Sequence, residues 1–294
     1  MASAPQLSAE QESVNPERRG IKKGLYLIPS AFTAANISMG FFAVMAALRG
    51  FQLVGDGDAA ALQRAAEHFD NAAKAICWAV LFDMLDGRIA RMTKTTTEIG
   101  VQFDSIADVL TFGIAPAVLA YAWGYGSALT EGSWSHKLGW FLSFMYLMCG
   151  AFRLARFNVQ AARPRILAEG VAKVDKKNFI GLPIPPAAAL IAAIIHFSPM
   201  PLIQYEPRYS HLYSGLMMAL VGCLGFLMVS NLRYSSFKTV GTQSRSARLA
   251  ILLVAAIGML IYLFSEYVLL VFASIYVLHG LLLRVGTLFR RRST

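Results

Sequence analysis

Apolar residues run almost unbroken through eight stretches of this chain, at about 26–49, 70–92, 101–126, 137–158, 182–203, 211–232, 248–265 and 267–288. Short polar connections separate them. A hydrocarbon core of ~30 Å needs roughly 20 helical residues, so each run predicts a transmembrane helix, the seventh only just. The fold class that follows is all-α, a polytopic membrane helix bundle of about eight helices. Residues 1–24 are polar and carry Pro5 and Pro16, which predicts a largely disordered tail. A signal peptide fits poorly, because the polar leader is too long and many further apolar runs follow the first.

Composition agrees with this reading. The chain of 294 residues is 56% hydrophobic and 15% charged, where soluble domains are nearer a quarter charged. The net charge of +10 raises the question of nucleic acid, and its distribution excludes one. With eight spans both termini lie on one side, and that side receives 22 of the 27 Lys and Arg residues. The other side holds Arg49, Arg64, Lys74, Lys137 and Arg208. Such a bias places both termini in the cytoplasm, with the basic loops facing an anionic leaflet. No basic stripe exists apart from these loops. Cys77, Cys149 and Cys223 all fall inside apolar runs, which predicts buried small hydrophobes rather than disulfides or metal ligands. Trp123, Trp134 and Trp140 suit an interfacial belt. His68, His136, His196, His211 and His279 have no catalytic partner at short spacing and are expected to be structural.

The second and third runs carry an unusual load. They read Asp83-x-x-Asp86-Gly87-x-x-Ala90-Arg91, then eight residues, then Gly100-x-x-x-Asp104-x-x-x-Asp108. On a helix, positions three, four and seven apart share a face. Asp83, Asp86, Gly87 and Ala90 therefore line one face, and Gly100, Asp104 and Asp108 line one face of the next helix. With those faces together, four carboxylates converge near the cytoplasmic boundary and repel one another unless cations lie between them. Hard divalent ions, Mg²⁺ or Mn²⁺, suit such an all-oxygen site. Gly87, Ala90 and Gly100 leave room for a ligand or a facing backbone. Arg91, one turn past Gly87, is placed to reach a phosphate. Ser105 falls off the carboxylate face. Helix-to-helix glue would not need this many acids at these intervals. A cation transporter would carry acids near the midplane in both halves of the chain.

This stretch resembles the signature of the CDP-alcohol phosphotransferase family, D-x2-D-G-x2-A-R-x8-G-x3-D-x3-D, with every fixed position present. The resemblance implies that fold, and it implies that Asp83, Asp86 and Asp104 bind two divalent metal ions. It makes Asp108 both a ligand and the general base. It assigns Gly87, Arg91 and Thr97 to the cytidine diphosphate part of CDP-diacylglycerol. Residues 25–240 would form the family's membrane domain, with 241–294 adding two helices and a basic tail.

Other segments resemble those of family members that use L-serine as acceptor. These are Pro29–Asn36, Phe152–Asn158, Gly181–Ala187 and Ser230–Lys238. The resemblance implies phosphatidyl transfer from CDP-diacylglycerol to the serine hydroxyl, with CMP released, in a homodimer. Other acceptors within the family, glycerol phosphate or inositol phosphate, remain the alternative. Read from the residues, Thr33 and Asn36 share a face of the first span and point into the bundle, within reach of the nucleotide. Arg153 and Arg156 lie one turn apart at a membrane end. They fit either positive-inside anchoring or a bidentate grip on the serine carboxylate. Asn158 is placed to accept from an ammonium group or to cap its helix. Arg233 and Lys238 are placed for phosphate, carboxylate or the lipid surface. Pro183, Pro185 and Pro186 predict extended chain before the fifth helix. Direct attack by serine is expected, because no Ser, Cys or His stands as a nucleophile within the motif.

Overall fold

The computed structural model describes residues 16–93, 98–162, 178–230, 232–235 and 247–291, with side chains over 31–89, 99–159, 181–230, 232 and 255–280. Its elements are helical apart from one short ribbon. Helix α1 (Pro16–Gly55) and helix α2 (Ala59–Thr93) form a long hairpin. Gly57 sits in the connecting turn at φ +73, a conformation open to glycine. The two helices meet along small residues. Gly40, Ala43, Ala47 and Gly50 of α1 are buried, as are Ala65, Phe69, Ala72, Ile76 and Ala79 of α2. In lipid, apolar surface alone does not drive helices together, so close backbone approach through small side chains supplies the packing.

The third apolar run is one rod in four pieces. Helix α3 (Glu98–Asp108) passes into a π-helical stretch, Val109–Ile114, then helix α4 (Ala115–Ala120), then a second π-helical stretch, Tyr121–Tyr125. Pro116, in the first turn of α4, has no N–H to return to the preceding turn. The carbonyl of Phe112 instead accepts from the buried Tyr146 hydroxyl at 3.1 Å. The looser π winding begins immediately after Asp108, a location where such bulges often serve function.

Helix α5 (Trp134–Ala162) packs on helix α7 (Pro207–Val229), and helix α6 (Ile184–Phe197) lies between α2 and helix α8 (Ala247–Arg291). Leu182, Ile184, Ile191 and Ile195 are fully buried, which makes α6 the centre of the bundle. Strands β1 (Asn178–Ile180) and β2 (Arg233–Ser235) pair antiparallel and clip the start of α6 to the end of α7. Gly181 completes that clip at φ +82, and its N–H donates to the Leu232 carbonyl at 2.8 Å. Of the three prolines expected to hold extended chain, only Pro183 does so; Pro185 and Pro186 already lie in the first turn of α6. The first-turn N–H groups lack intrahelical partners anyway, so proline is tolerated there.

The apolar surface faces outward as lipid requires: Phe41, Trp78, Trp140 and Phe226 are all largely exposed. Six helical stretches among the described residues are long and apolar enough to cross a membrane. The chain is a multi-pass membrane protein. Three of the eight expected spans, the second, seventh and eighth, differ from this set. Helix α2 falls outside the six because Asp70, Lys74, Asp83, Asp86, Arg88 and Arg91 lie along it. The expected seventh and eighth spans both fall within α8, which is two helices meeting at a kink at Phe264, whose backbone is not helical (φ −137, ψ 46). Trp134 and Trp140 are exposed as a belt requires, but Trp123 is 4% exposed and belongs to the core.

Candidate active site

The acid motif converges as its spacing predicts. Helix α2 presents Asp83 and Asp86 one turn apart, and α3 presents Asp104 and Asp108 one turn apart. One carboxylate oxygen from each of Asp83, Asp104 and Asp108 lies within 4.8 Å of the other two. The Oδ1 atom of Asp108 is buried and has no hydrogen-bond partner among the described residues. A buried carboxylate oxygen without a donor is costly unless something positive completes it. Three converging carboxylates, one of which carries an orphaned oxygen, fit a hard divalent cation.

Asp86 is held differently. It is 6% exposed and accepts a hydrogen bond from the hydroxyl of Thr33 on α1. Its charge still reaches Asp83, Asp104 and Asp108. The expected fourth ligand therefore stands at the edge of a three-carboxylate cluster, oriented by α1. Asn36, one turn along from Thr33, is 1% exposed, and neither its Oδ1 nor its Nδ2 has a partner among the described residues. Both residues face the bundle, as expected. Gly40 lets α1 lie against the first π-helical stretch: a Cβ there would come within 2.4 Å of Thr111 Oγ1. That hydroxyl donates to the Asn36 carbonyl at 3.2 Å.

Gly87 and Gly100 are exposed at the open edge of the cluster. The backbone of Arg91 continues α2, while its side chain, like all of Thr97, lies outside the described residues. On α5, Arg153 is partly buried and close enough for its charge to act on Asp108 and Tyr276. Its Nε finds no hydrogen-bond partner among the described residues. Arg156 is partly buried one turn further along. Asn158 is otherwise engaged: its Nδ2 donates to Ser105 Oγ at 2.8 Å, and that hydroxyl donates to the Val101 carbonyl at 2.9 Å. Ser105 lies off the carboxylate face, so Asn158 joins α5 to the back of α3. Arg233 forms part of β2, with its side chain outside the described residues, and Lys238 lies outside them entirely.

Histidine pairing was missed from the sequence. Buried His196 on α6 meets Asp70 of α2 through Nδ1 and Ser265 of α8 through Nε2 at 2.8 Å. Asp70 also pairs with Lys74 at 2.6 Å. The partners are far apart in sequence, so only the polarity of Asp70 inside an apolar run could have signalled them. This group lies more than three turns along α2 from Asp83 and ties three helices together.

Known proteins agree with the geometry. Residues 26–227 match the family model described as CDP-alcohol phosphatidyltransferase. A Helicobacter pylori protein named CDP-diacylglycerol–serine O-phosphatidyltransferase is 32% identical over 266 residues, covering 88% of this chain and 91% of the relative. Proteins of the same name from Methanocaldococcus jannaschii and Saccharomyces cerevisiae are 32% and 36% identical, over 57% and 56% of this chain and 65% and 51% of their own lengths. With the family model spanning more than half of the chain, and the acid cluster folded as that family's motif demands, this protein belongs to the CDP-alcohol phosphatidyltransferase family.

Proposed function

We propose that this protein transfers the phosphatidyl group of CDP-diacylglycerol to the hydroxyl of L-serine, giving phosphatidylserine and CMP. The carrying observation is the convergence of Asp83, Asp104 and Asp108 from consecutive helices, one oxygen of each within 4.8 Å of the others, together with the unpartnered Asp108 Oδ1. The serine acceptor is supported by the relatives, which bear that activity in their names.

The chemistry follows from the donor set. Asp83, Asp86, Asp104 and Asp108 would hold two divalent ions, Mg²⁺ or Mn²⁺; when bound, these offset the charge of the pyrophosphate and of the departing CMP. Asp108 accepts the proton of the serine hydroxyl as its oxygen forms a bond to the lipid-side phosphorus. The bond from that phosphorus to the CMP oxygen breaks in the same displacement, so CMP leaves as an anion and the proton stays on Asp108. Thr33 fixes Asp86, and Asn36 offers its amide to the nucleotide side. Gly87 leaves room for the cytidine diphosphate, with Arg91 and Thr97 as further contacts. Arg153 and Arg156 bind the serine carboxylate, with Arg233 and Lys238 as the second choice for that role. The hydrogen bond from Asn158 to Ser105 argues for a bracing role there instead.

Both termini and the active site face the cytoplasm in this reading, on the strength of the 22-to-5 division of basic residues. Cysteines placed at Gly57 and Gly132 should label from outside. The protein acts as a homodimer, a proposal that rests on the family resemblance. The test of function is incorporation of labelled serine into lipid by the purified protein, dependent on CDP-diacylglycerol and a divalent ion. Incorporation of glycerol phosphate or inositol phosphate in place of serine would overturn the acceptor.

A further inference from the structure

Much of α8 faces lipid: Val271, Phe272, Ile275 and Leu278 are all exposed. Its inward side is a narrow stripe of Ala273, Tyr276, Val277 and Gly280, at the three-, four- and seven-residue spacing of one helix face. Of these four, Tyr276 alone carries a polar side-chain atom. Val277 is buried and Tyr276 packs against the core beside it, so the stripe carries the phenol into the bundle. There it meets α5. Arg153 is close enough for its charge to act on both Tyr276 and Asp108. The buried Nε of Arg153 has no hydrogen-bond partner among the described residues. The family match ends at residue 227, so α8 brings Tyr276 to this arginine from outside it.

A guanidinium holds its N–H donors in one rigid plane. To grip a carboxylate with two of them, that plane must be turned the right way. A neutral oxygen beside the arginine can set it, because it accepts one N–H without cancelling the charge. An Asp or Glu on α8 would take the two-pronged edge for itself. A phenol is a neutral acceptor of this kind. The Tyr276 ring is packed and turns about only two bonds, so its hydroxyl is presented at a fixed place. Asp108, the other group near Arg153, converges with Asp83 and Asp104, and its work lies in that cluster.

We propose that Tyr276 is a positioning residue for the acceptor: in the serine-bound protein its hydroxyl accepts from the Arg153 guanidinium and aims the remaining donors at the serine carboxylate. This rests on the reading of Arg153 as the grip on that carboxylate. It makes α8 part of the acceptor pocket. Selection for a carboxylate is then tuned by a residue that does not itself touch the substrate.

The test is steady-state CMP release by the purified full chain in detergent, with serine and CDP-diacylglycerol each varied. The proteins compared are the unaltered chain, Tyr276→Phe, Arg153→Ala and the double variant. Phenylalanine keeps the ring and its packing and removes only the hydroxyl. Tyr276→Phe should raise the KM for serine about 2- to 10-fold, the net worth of one hydrogen bond. It should leave kcat, the KM for the lipid and the thermal unfolding midpoint unchanged. In the Arg153→Ala background the same change should add nothing, because the hydroxyl acts through the arginine. A packing role alone would instead lower the midpoint, or act equally in both backgrounds. An unchanged serine KM in Tyr276→Phe overturns the proposal, as does a rise shared with the lipid or repeated without Arg153. In each of these cases Arg153→Ala still raises the serine KM, and the reading of Arg153 stands. If Arg153→Ala itself leaves the serine KM unchanged, that reading falls, and the role of Tyr276 with it.

Discussion

The Thr33 hydroxyl of α1 donates to the Asp86 carboxylate of α2, and this bond joins the first helix to the acid cluster. Asp86 is thereby held at the edge of the Asp83–Asp104–Asp108 group, and among the described residues no ion pair reaches its carboxylate. A lysine or arginine in Thr33's place would compete with a metal ion for the carboxylate. A hydroxyl orients one oxygen and leaves the other available.

Thr33→Val keeps the shape of the side chain and removes the donor. A hydrogen bond to a charged group is worth about 1.5–3 kcal/mol, so turnover should fall roughly 10- to 100-fold. Thr33→Ser should stay within a few-fold of the unaltered protein. The assay is CMP release with serine and CDP-diacylglycerol present. Unchanged turnover in Thr33→Val would mean that Asp86 needs no orientation by α1.

Metal dependence should follow the cluster. Chelation should abolish turnover, and either Mg²⁺ or Mn²⁺ should restore it. Asp83→Asn and Asp104→Asn should each remove activity and weaken Mn²⁺ binding measured by electron paramagnetic resonance. A variant that binds Mn²⁺ as tightly as the unaltered protein would take that residue out of the ligand set.

Much of this site was legible because helical periodicity is a local rule. The spacing of Asp83, Asp86, Asp104 and Asp108 places them on two faces whatever the rest of the bundle does. The contacts around them depend on long-range packing and were not legible. Nothing local shows that Asn158 will meet Ser105, or that Asp70 will meet His196. Trp123 misled because an aromatic near the end of an apolar run fits a belt and a core equally well. The π-helical winding after Asp108 has no periodic signature, although Pro116 two residues beyond it was a clue. The break between the two final spans was legible in hydropathy: the runs 248–265 and 267–288 part close to Phe264, where two helices meet at a kink.

Gly181→Ala should destabilise the protein strongly. The left-handed backbone costs a residue with a Cβ about 1–2 kcal/mol, and that Cβ would come within 2.3 Å of the Met228 carbonyl oxygen. The clip between β1 and the end of α7 would have to open. A drop of several degrees in the thermal unfolding midpoint in detergent is expected. An unshifted midpoint would show that the clip adds nothing to stability.

His196→Leu should loosen α8 from α6 and α2, because it removes both the Asp70 and the Ser265 contact and leaves the Asp70 carboxylate with Lys74 alone. Breaking a buried polar pair by removing one partner costs about 3–5 kcal/mol when charge is involved. Hydrogen exchange in the Ser265–Val277 region should rise, whereas the KM for serine should stay the same. Unaltered exchange would assign the hold on α8 to apolar packing through Val268 and Val277.

The acid cluster and the arginine beside it should divide the reaction between them. Arg153 stands close enough to Asp108 for their charges to interact, yet its Nε is unpaired among the described residues. That leaves donors for a carboxylate-bearing acceptor next to the proposed base. Asp108→Asn should therefore lower kcat by several orders of magnitude while CDP-diacylglycerol still binds measurably. Arg153→Ala should raise the KM for serine about 10- to 100-fold, and the KM for the lipid much less, since a charge-assisted contact of about 1.5–3 kcal/mol is lost. Arg153→Lys should recover part of the loss, because an ammonium keeps the charge without the two-pronged geometry. Steady-state kinetics with each substrate varied separates the two roles. If Arg153→Ala changes only kcat, the arginine serves Asp108 and not the acceptor. The serine carboxylate would then have to be sought at Arg156, or at Arg233 and Lys238 beyond α7.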